Sequence, residues 1–329
     1  MTSVETVLGP VDVDDLGITL VHEHVLVDWV GAELTSRDRY DPEAVVQVVV
    51  PHLRRARELG VRTLLECTPA YLGRDVRLLE RLARETDLNI LTNTGYYGAA
   101  EDRFVPAHAY TASAESLAEG WIREREDGIE GTSIRPAFMK IGVDAGPLSE
   151  IDAKLVNAAA IAHHATGMAI HSHTGDAAAG LAQLDLLESR GVPLSAFVWV
   201  HAQNVDDLAV LVGAAARVAW IELDGVGPET VLRHAELVIG LAERGHLGRV
   251  LVSHDAGEYN VGAPDGGAAS FRTYETVLAA FVPELRARGM DDDEVRSLLI
   301  DNPRALLTTH GGEELAGEEG FPAVDGEIA

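Results

Sequence analysis

Two histidines separated by one residue occur in an apolar run near the start of the chain, at His22 and His24 within TLVHEHVL. On a helix these two positions would not face each other, whereas on a strand alternate side chains share one face. The spacing therefore predicts a strand on which both imidazoles point one way and Glu23 points the other way. Paired imidazoles at a strand end indicate metal ligands, provided that the chain supplies more of them.

Further residues of metal-ligand type, and one lysine, end other apolar runs. They stand in FMKIG, IHSHTG, WVHAQN and SHDAG, and they are Lys140, His171, His173, His201 and Asp255. Taken singly, each has an ordinary structural explanation: a histidine satisfied by hydrogen bonds, a lysine that extends to solvent, or an aspartate that caps a helix. Their coincidence at the ends of successive runs favours one shared site.

Eight short apolar runs alternate with longer stretches rich in alanine, leucine, glutamate and arginine. The runs predict strands at residues 18–22, 61–67, 88–94, 137–142, 168–173, 196–201, 218–223 and 250–253. Their starts are about 33 residues apart, which accommodates a strand, a helix and two loops. Eight such units favour an α/β fold of the closed (β/α)8 TIM barrel type over an open doubly wound sheet. In such a barrel the C-terminal ends of all strands converge on one mouth, where active sites lie.

Capping residues predict where some of the helices begin and end. Asp41 followed by proline and glutamate predicts an N-cap, and the helix should end near Gly60. Pro51 predicts a kink or a break inside that helix. A later helix is predicted to start at Asp152, with Ser149 as a competing start.

Composition narrows the possible partners of the chain. Its 329 residues carry a formal net charge of −27, which repels nucleic acid. Cys67 is the single cysteine, so no internal disulfide can form, and no signal peptide or membrane span is recognisable. We expect a cytoplasmic protein that acts on a small molecule, with one barrel domain over residues 1–310 and an acidic tail over 311–329.

The remaining histidines fall on stretches predicted to be helices or loops. We interpret all of them as surface residues: His52, His108, His163, His164, His234, His246 and His310.

The set HEH, KIGVD, HTG, VHAQN and SHDAG, in this order and at these strand ends, resembles the phosphotriesterase family of the amidohydrolase superfamily. NTGYY after the third predicted strand and NPRALL near the end of the chain resemble further landmarks of that family. The resemblance extends from about residue 16 to residue 307. It implies a TIM barrel enzyme that holds a binuclear metal centre.

The resemblance also implies a role for each matching residue. The implied ligands are His22, His24 and Asp255 for the buried metal, His173 and His201 for the exposed metal, and Lys140 as a bridge between both metals. A lysine ammonium has only donors, so the bridge requires a carbamate formed with carbon dioxide. Zinc is the expected metal, with cobalt, manganese or iron as alternatives. Asp255 is also expected to accept protons, His171 is left out of the ligand set, and Glu23 is expected to be structural.

Substrate specificity is less constrained by the resemblance. Tyr97 resembles a tyrosine near the metals in lactonase relatives, with Tyr96 as the alternative register, and Arg272 is expected to meet an anionic group of the substrate. The loops ELDGVGPE and GEYNVGAPDGGAASFRTY lack features of quorum-sensing lactonases, which favours a small and fairly polar lactone or ester. Phosphotriesterase and amidase activities are alternatives, as is an inactive binding protein. A homodimer is expected from the resemblance alone.

Overall fold

The computed structural model describes residues 2–308, and their core is a barrel of parallel strands. The chain first forms an antiparallel hairpin of β1 (Ser3–Thr6) and β2 (Gly9–Asp12). The barrel strands follow: β3 (Ile18–Glu23), β5 (Val61–Glu66), β6 (Asn89–Leu91) with β7 (Asn93–Thr94), β8 (Phe138–Val143), β9 (Ile170–Thr174), β10 (Phe197–Val200), β11 (Trp220–Leu223) and β12 (Val250–Val252). Two short strands, β4 (Leu26–Val27) and β13 (Tyr259–Asn260), pair with each other at the rim.

The sheet closes on itself. Strands β3, β5 and β6 pair in parallel, and β7 through β12 form the other parallel arc. The gap between β12 and β3 is joined by hydrogen bonds from the Asp255 amide to the His22 carbonyl at 3.1 Å and from the His24 amide to the Ala256 carbonyl at 2.8 Å. Each of the eight predicted strands is present, and the predicted (β/α)8 barrel is confirmed.

Helices follow the strands and pack on the outside of the barrel. They are α1 (Pro42–Glu58), α2 (Val76–Thr86), α3 (Ala107–Thr111), α4 (Ala114–Asp127), α5 (Glu150–Thr166), α6 (Ala177–Ser189), α7 (Leu208–Ala216), α8 (Val231–Ala242), α9 (Val282–Ala287), α10 (Asp292–Arg296) and α11 (Asn302–Thr308). Side chains alternate between the two faces of the strands. On β10, for example, Phe197 and Trp199 belong to the core beneath the helices, whereas Val198 and Val200 belong to the cluster inside the barrel.

Two of the predicted helix boundaries require correction. The helix α1 continues through Pro51, so the predicted break is wrong. Pro51 and Gln47 are both exposed, so water can hydrate the carbonyl that loses its amide partner. Helix α5 begins at Glu150 with Ser149 as N-cap, in a capping box with Asp152, so the start at Asp152 is wrong.

The end of the chain lies outside the description of the structure. The predicted acidic tail at 311–329 and His310 are outside the described residues. None of the helices within residues 2–308 combines the length and the apolar character that a membrane span requires.

Candidate metal centre

Strand alternation brings polar side chains into the barrel near its C-terminal end. Phe138 points into the barrel interior on β8, so Lys140 points inward two residues later, and the same alternation on β9 turns His171 and His173 inward. On β3 the pairing register shifts between Leu20 and Glu23, which interrupts the alternation. Below the shift Val21 packs in the interior cluster, and above it His22 also reaches the interior.

All six predicted ligands line one cavity of about 150 Å³, which we call the site cavity. Its lining consists of His22, His24, Val27, Trp29, Cys67, Pro69, Leu72, Tyr97, Lys140, His173, His201, Asp255 and Glu258. The imidazole rings are closely spaced, with centroids 5.3 Å apart for His22 and His24, 5.2 Å for His22 and His201, and 4.4 Å for His173 and His201. The structure thus brings together residues from five strands that lie far apart in the sequence.

Asp255 lies against the paired histidines of β3. Its Oδ1 is 3.0 Å from His24 Nε2 and 3.4 Å from His22 Nε2. Burial opposes ionisation of this carboxyl, but the hydrogen bond from His24 and the charge of His22 hold its pKa below the usual range. Ligand atoms of these three residues lie within 4.8 Å of one another, which is a separation that one metal ion can span.

Burial favours the neutral form, which a metal requires, for two imidazoles of the site, those of His22 and His173. Burial, with the nearby charge of Lys140, lowers the pKa of His22 to about 3. Burial and the neighbouring His201 hold the pKa of His173 well below its usual value. Neutral imidazoles keep a nitrogen lone pair available, so these two residues are ready to bind a cation.

Two buried carboxyls orient the histidines, and they belong to Glu222 on β11 and to Asp224 directly after that strand. Neither residue was predicted from the sequence. His22 Nδ1 lies 2.7 Å from Glu222 Oε1 and 3.0 Å from Asp224 Oδ2, and His201 Nδ1 lies 2.8 Å from Asp224 Oδ1. These contacts fix the proton on Nδ1 and leave each Nε2 facing the site cavity, the arrangement commonly found behind metal-binding histidines. The sequence ELDG contained the signal, since two acids spaced by two on an apolar strand share one face.

The pKa values of the two carboxyls are shifted in opposite directions. Burial raises the pKa of Glu222 well above its usual value, and the adjacent Asp224 adds to this effect. Burial acts in the same direction on Asp224, but the charges of His201 and His22 outweigh it and hold its pKa well below the usual range.

Several polar atoms of this region have no hydrogen-bond partner among residues 2–308. They are Nε2 of His22, both ring nitrogens of His171 and Oε2 of Glu222. The His22 atom points to a missing ligand, because it is fully buried beside Asp255. His171 lies deeper, stacked near Phe138, with its Nδ1 3.6 Å from Glu222 Oε2. It does not line the site cavity, which agrees with leaving it out of the ligand set.

Lys140 is 2% exposed and lies among the histidines of the site. No hydrogen bond or ion pair reaches its ammonium from the described part of the chain, and the ring of Tyr97 lies 5.9 Å from Nζ. A buried ammonium without a partner is unfavourable, whereas a carbamate on the same nitrogen would carry two oxygens for cations. The imidazoles and the carboxylate of the site fit a divalent metal ion, and a carbamate on Lys140 would add the oxygen ligands that a second ion requires.

Glu23 holds the strand end that carries Asp255, and its expected structural role is confirmed. Its carboxylate accepts hydrogen bonds from the Ser253 hydroxyl at 2.8 Å and from the amides of His254 at 3.1 Å and Ala256 at 3.0 Å. His254 Nδ1 lies 2.6 Å from the same carboxylate, while its Nε2 accepts from the Val277 amide. This network fixes the backbone on both sides of Asp255.

Strained backbone is concentrated at the rim of the barrel. His201, Asp255 and Glu258 have positive φ angles of 61°, 50° and 72°. Residues other than glycine rarely adopt this left-handed conformation, and it persists where the surroundings enforce it, most often at functional sites.

Of the two alternative tyrosines, Tyr97 is the one in the site cavity. Its hydroxyl lies 3.0 Å from His173 Nδ1, and the two rings pack edge to face. Tyr96 instead faces away, with its hydroxyl 3.1 Å from Nε2 of His108. The structure places Arg272 outside the lining of the site cavity, 2.9 Å from Glu258, whose side chain does line it.

Two of the histidines interpreted as surface residues are buried, so that interpretation is wrong for them. His163 is 6% exposed and lies 2.9 Å from the Met168 carbonyl, and His234 is 2% exposed and lies 3.0 Å from the Thr230 carbonyl. Both sit on the inner faces of helices, where a local carbonyl satisfies one ring nitrogen.

The fold and the site define a (β/α)8 barrel protein with a histidine and carboxylate centre at the C-terminal ends of its strands. The family model of the phosphotriesterase family matches residues 2–307, and the chain belongs to that family. The resemblance stated from the motifs is thereby confirmed.

Relatives with different names share the full length of the fold. The phosphotriesterase homology protein of Escherichia coli is 32% identical, over 88% of this chain and 97% of the relative. The aryldialkylphosphatase of Saccharolobus solfataricus is 25% identical, over 89% and 96%. The N-acetyltaurine hydrolase of Xenopus tropicalis is 24% identical, over 93% and 97%. The names of these relatives differ in the bond that is cut, so similarity alone does not identify a substrate.

Proposed function

We propose that the protein is a binuclear metal-dependent hydrolase whose substrate is a small lactone or ester. The observation that carries this proposal is the convergence of four histidines, Lys140 and Asp255 on one cavity at the mouth of the barrel. A protein that had lost catalysis and served only for binding would have no need to keep all six of these groups. The family membership and the hydrolase names of two relatives support the same conclusion.

We propose the ligand assignment stated from the sequence. His22, His24 and Asp255 would hold one ion, His173 and His201 would hold the other, and a carboxylated Lys140 would supply oxygens to both. To form the carbamate, the Lys140 ammonium first loses a proton to solvent, and the amine nitrogen then bonds to the carbon of carbon dioxide and releases a second proton. Divalent ions bound there would polarise the oxygen of the scissile group and lower the pKa of a bound water. Zinc is the proposed metal, since imidazole and carboxylate ligands suit it, although cobalt, manganese and iron accept the same ligands.

Asp255 is the proposed general base. Its carboxylate is ionised and lies next to two histidines of the site, so it can accept the proton of water as the oxygen adds to the acyl carbon. It can then return that proton to the leaving alkoxide. Asp224 and Glu222 keep His22 and His201 oriented during this cycle through their Nδ1 contacts.

The wall of the site cavity supports a small substrate. Val27, Trp29 and Leu72 are apolar groups that exclude water from the ester, and the Tyr97 hydroxyl is available to contact it. A volume of about 150 Å³ leaves little room for a long acyl chain beside the reacting group. Tyr97 remains the proposed substrate contact.

A substrate panel tests this proposal. Metal-reconstituted protein would be assayed with a γ-butyrolactone, an aryl acetate, a paraoxon-type phosphotriester and an N-acetyl amide at matched concentrations. We expect the largest kcat/KM for the lactone or the ester. Turnover of only the amide or only the phosphotriester would instead support an amidase or a phosphotriesterase, which the names of the relatives from Xenopus and Saccharolobus favour.

Turnover of none of these compounds by protein that holds its metals would contradict the lactone and ester proposal. The cytoplasmic location, the homodimer and the lack of a nucleic-acid partner stay predictions from the sequence.

A further inference from the structure

We propose that Glu258 selects substrates with a cationic group next to the scissile ester, so that the physiological substrate class is ammonium-bearing lactones or esters. This inference rests on the proposed function and names the substrate class for the same cavity. It starts from the charges at the mouth of the site cavity. Beyond the proposed metal ligands, Glu258 is the one charged side chain in the described lining.

The position of Glu258 is fixed by its neighbours on both sides. On one side the Gly257 amide donates to the Arg272 carbonyl at 2.9 Å, and on the other the Tyr259 amide donates to the Val25 carbonyl at 2.9 Å. Gly257 itself has φ of +97° and lies so close to His24 that a Cβ atom would fall 1.9 Å from the His24 carbonyl oxygen. The carboxylate is therefore presented by a rigid loop segment rather than by a freely moving one.

Glu258 is also held in a conformation that a glutamate rarely adopts. Its φ of 72° costs free energy, and the loop maintains it. A positive φ aims the side chain differently from an extended residue, and here the residue lines the site cavity while 26% of its side chain remains exposed. A strained conformation at a residue of the cavity wall indicates that the direction of the Glu258 carboxylate is important for function.

The surroundings of Glu258 favour a cation over an anion. Lys140 is the only lysine or arginine in the lining, and it is committed to the metal centre. Trp29 is also a lining residue of the site cavity, and aromatic side chains of this kind can bind cations. The formal net charge of −27 attracts cations to the molecule and repels anions.

Arg272 forms an ion pair with Glu258 at the mouth of the site cavity. Its Nη2 lies 2.9 Å from Glu258 Oε1, and half of its side chain is exposed. An exposed ion pair of this kind is weak, so a cationic substrate group can displace the guanidinium into solvent. This exchange leaves no buried charge unpaired, because the substrate cation takes the place of Arg272.

Three γ-butyrolactones that carry a trimethylammonium, a tert-butyl or a carboxylate group on the same ring carbon test the proposal. The first two have nearly the same shape and differ in charge. We expect wild-type kcat/KM to be about tenfold higher for the trimethylammonium lactone than for the tert-butyl lactone, with the carboxylate lactone slowest. In Glu258→Gln this ratio should fall to about one. In Arg272→Met it should rise, because the competing guanidinium is gone.

Glu243→Gln is the matched control for the change in net charge. Glu243 is exposed at the end of α8, on the opposite face of the barrel from the mouth, and its replacement should leave the ratio at the wild-type value. A wild-type ratio of one or less, or a ratio that Glu258→Gln leaves unchanged, overturns the proposal. A preference for the carboxylate lactone that Arg272→Met abolishes also overturns it and assigns Arg272 to the substrate instead.

A binding measurement separates this inference from the proposed function. If the metal-loaded protein hydrolyses neither lactones nor esters, the proposed function fails, while the Kd of tetramethylammonium still tests Glu258. We expect Glu258→Gln to weaken tetramethylammonium binding about tenfold at fixed ionic strength. An equal Kd in the wild type, Glu258→Gln and Glu243→Gln would mean that the cation binds to the general negative field, and the inference would be wrong.

Discussion

The floor and the mouth of the site cavity are built in different ways. The floor consists of side chains on strands, and each of its histidines is oriented by a buried partner, such as Asp224 for His201 at 2.8 Å or Thr68 for His24 at 2.8 Å. The mouth is made by loops, where Trp29 is 38% exposed and Glu258 pairs with the exposed Arg272. The barrel therefore fixes the groups that carry out the chemistry, whereas substrate specificity depends on the loops above it.

The largest effect is expected from the floor residue that handles the proton. Asp255→Asn keeps the size of the side chain but removes the carboxylate, so kcat should fall by about 1,000-fold. Steady-state kinetics on the best substrate of the panel measures this loss. A fall of less than tenfold in protein that retains its metals would show that another group accepts the proton.

The second-largest effect is expected from Asp224, which orients two of the proposed metal ligands. Asp224→Asn removes the acceptor shared by His22 and His201, so the affinity for zinc should fall by about 10- to 100-fold. Competition with a chromophoric chelator measures this affinity without relying on turnover. Asp293→Asn, an exposed aspartate of α10, is the control and should bind zinc as the wild type does. Equal affinities in the two variants would contradict the supporting role of Asp224.

A change at the mouth should affect substrate binding more than the chemical step. Trp29→Ala removes an apolar wall that is partly exposed, so KM should rise about fivefold with little change in kcat. Kinetics on the neutral tert-butyl lactone separates the two constants. A large loss of kcat with an unchanged KM would mean that the mouth also participates in the reaction.

The smallest effect is expected at His171, although it is fully buried beneath the floor. The side chain of His171 makes no hydrogen bond within residues 2–308 and does not line the site cavity. His171→Asn should therefore change kcat by less than about tenfold. Running it beside Asp255→Asn tests the choice of ligand on β9. If the two variants lose the same activity, the assignment of His173 is wrong.

The sequence was sufficient for the barrel and for the grouping of the site residues, because both depend on short-range periodicity. Alternation predicted that His22 and His24 share a face, and the repeat of strand and helix predicted where their partners would meet. The spacing of Glu222 and Asp224 put both acids on one face of a strand, but their role was missed because the histidines that they orient lie on other strands across the barrel. The pairing of Glu258 with Arg272 depends on loop geometry, which composition alone does not determine.

Predictions from single residues also failed where the surrounding structure compensates for an unfavourable local preference. Pro51 interrupts the hydrogen bonding of α1 without ending the helix, because the affected turn faces solvent while Val49 and Leu53 pack into the core. His163 and His234 were predicted to lie on helices or loops at the surface, and they lie on α5 and α8. Both are buried on the side that packs against the barrel.

Metal content per chain is the most direct test of a centre that holds two metal ions bridged by Lys140. Wild type and Lys140→Ala would be stripped with a chelator, reconstituted with zinc in bicarbonate buffer and analysed by elemental mass spectrometry. The account predicts about two zinc ions per chain in the wild type and a clear loss of both in Lys140→Ala, because the bridging ligand is gone. Fewer than one ion per chain in the wild type, or full occupancy in Lys140→Ala without an added carboxylic acid, would contradict it.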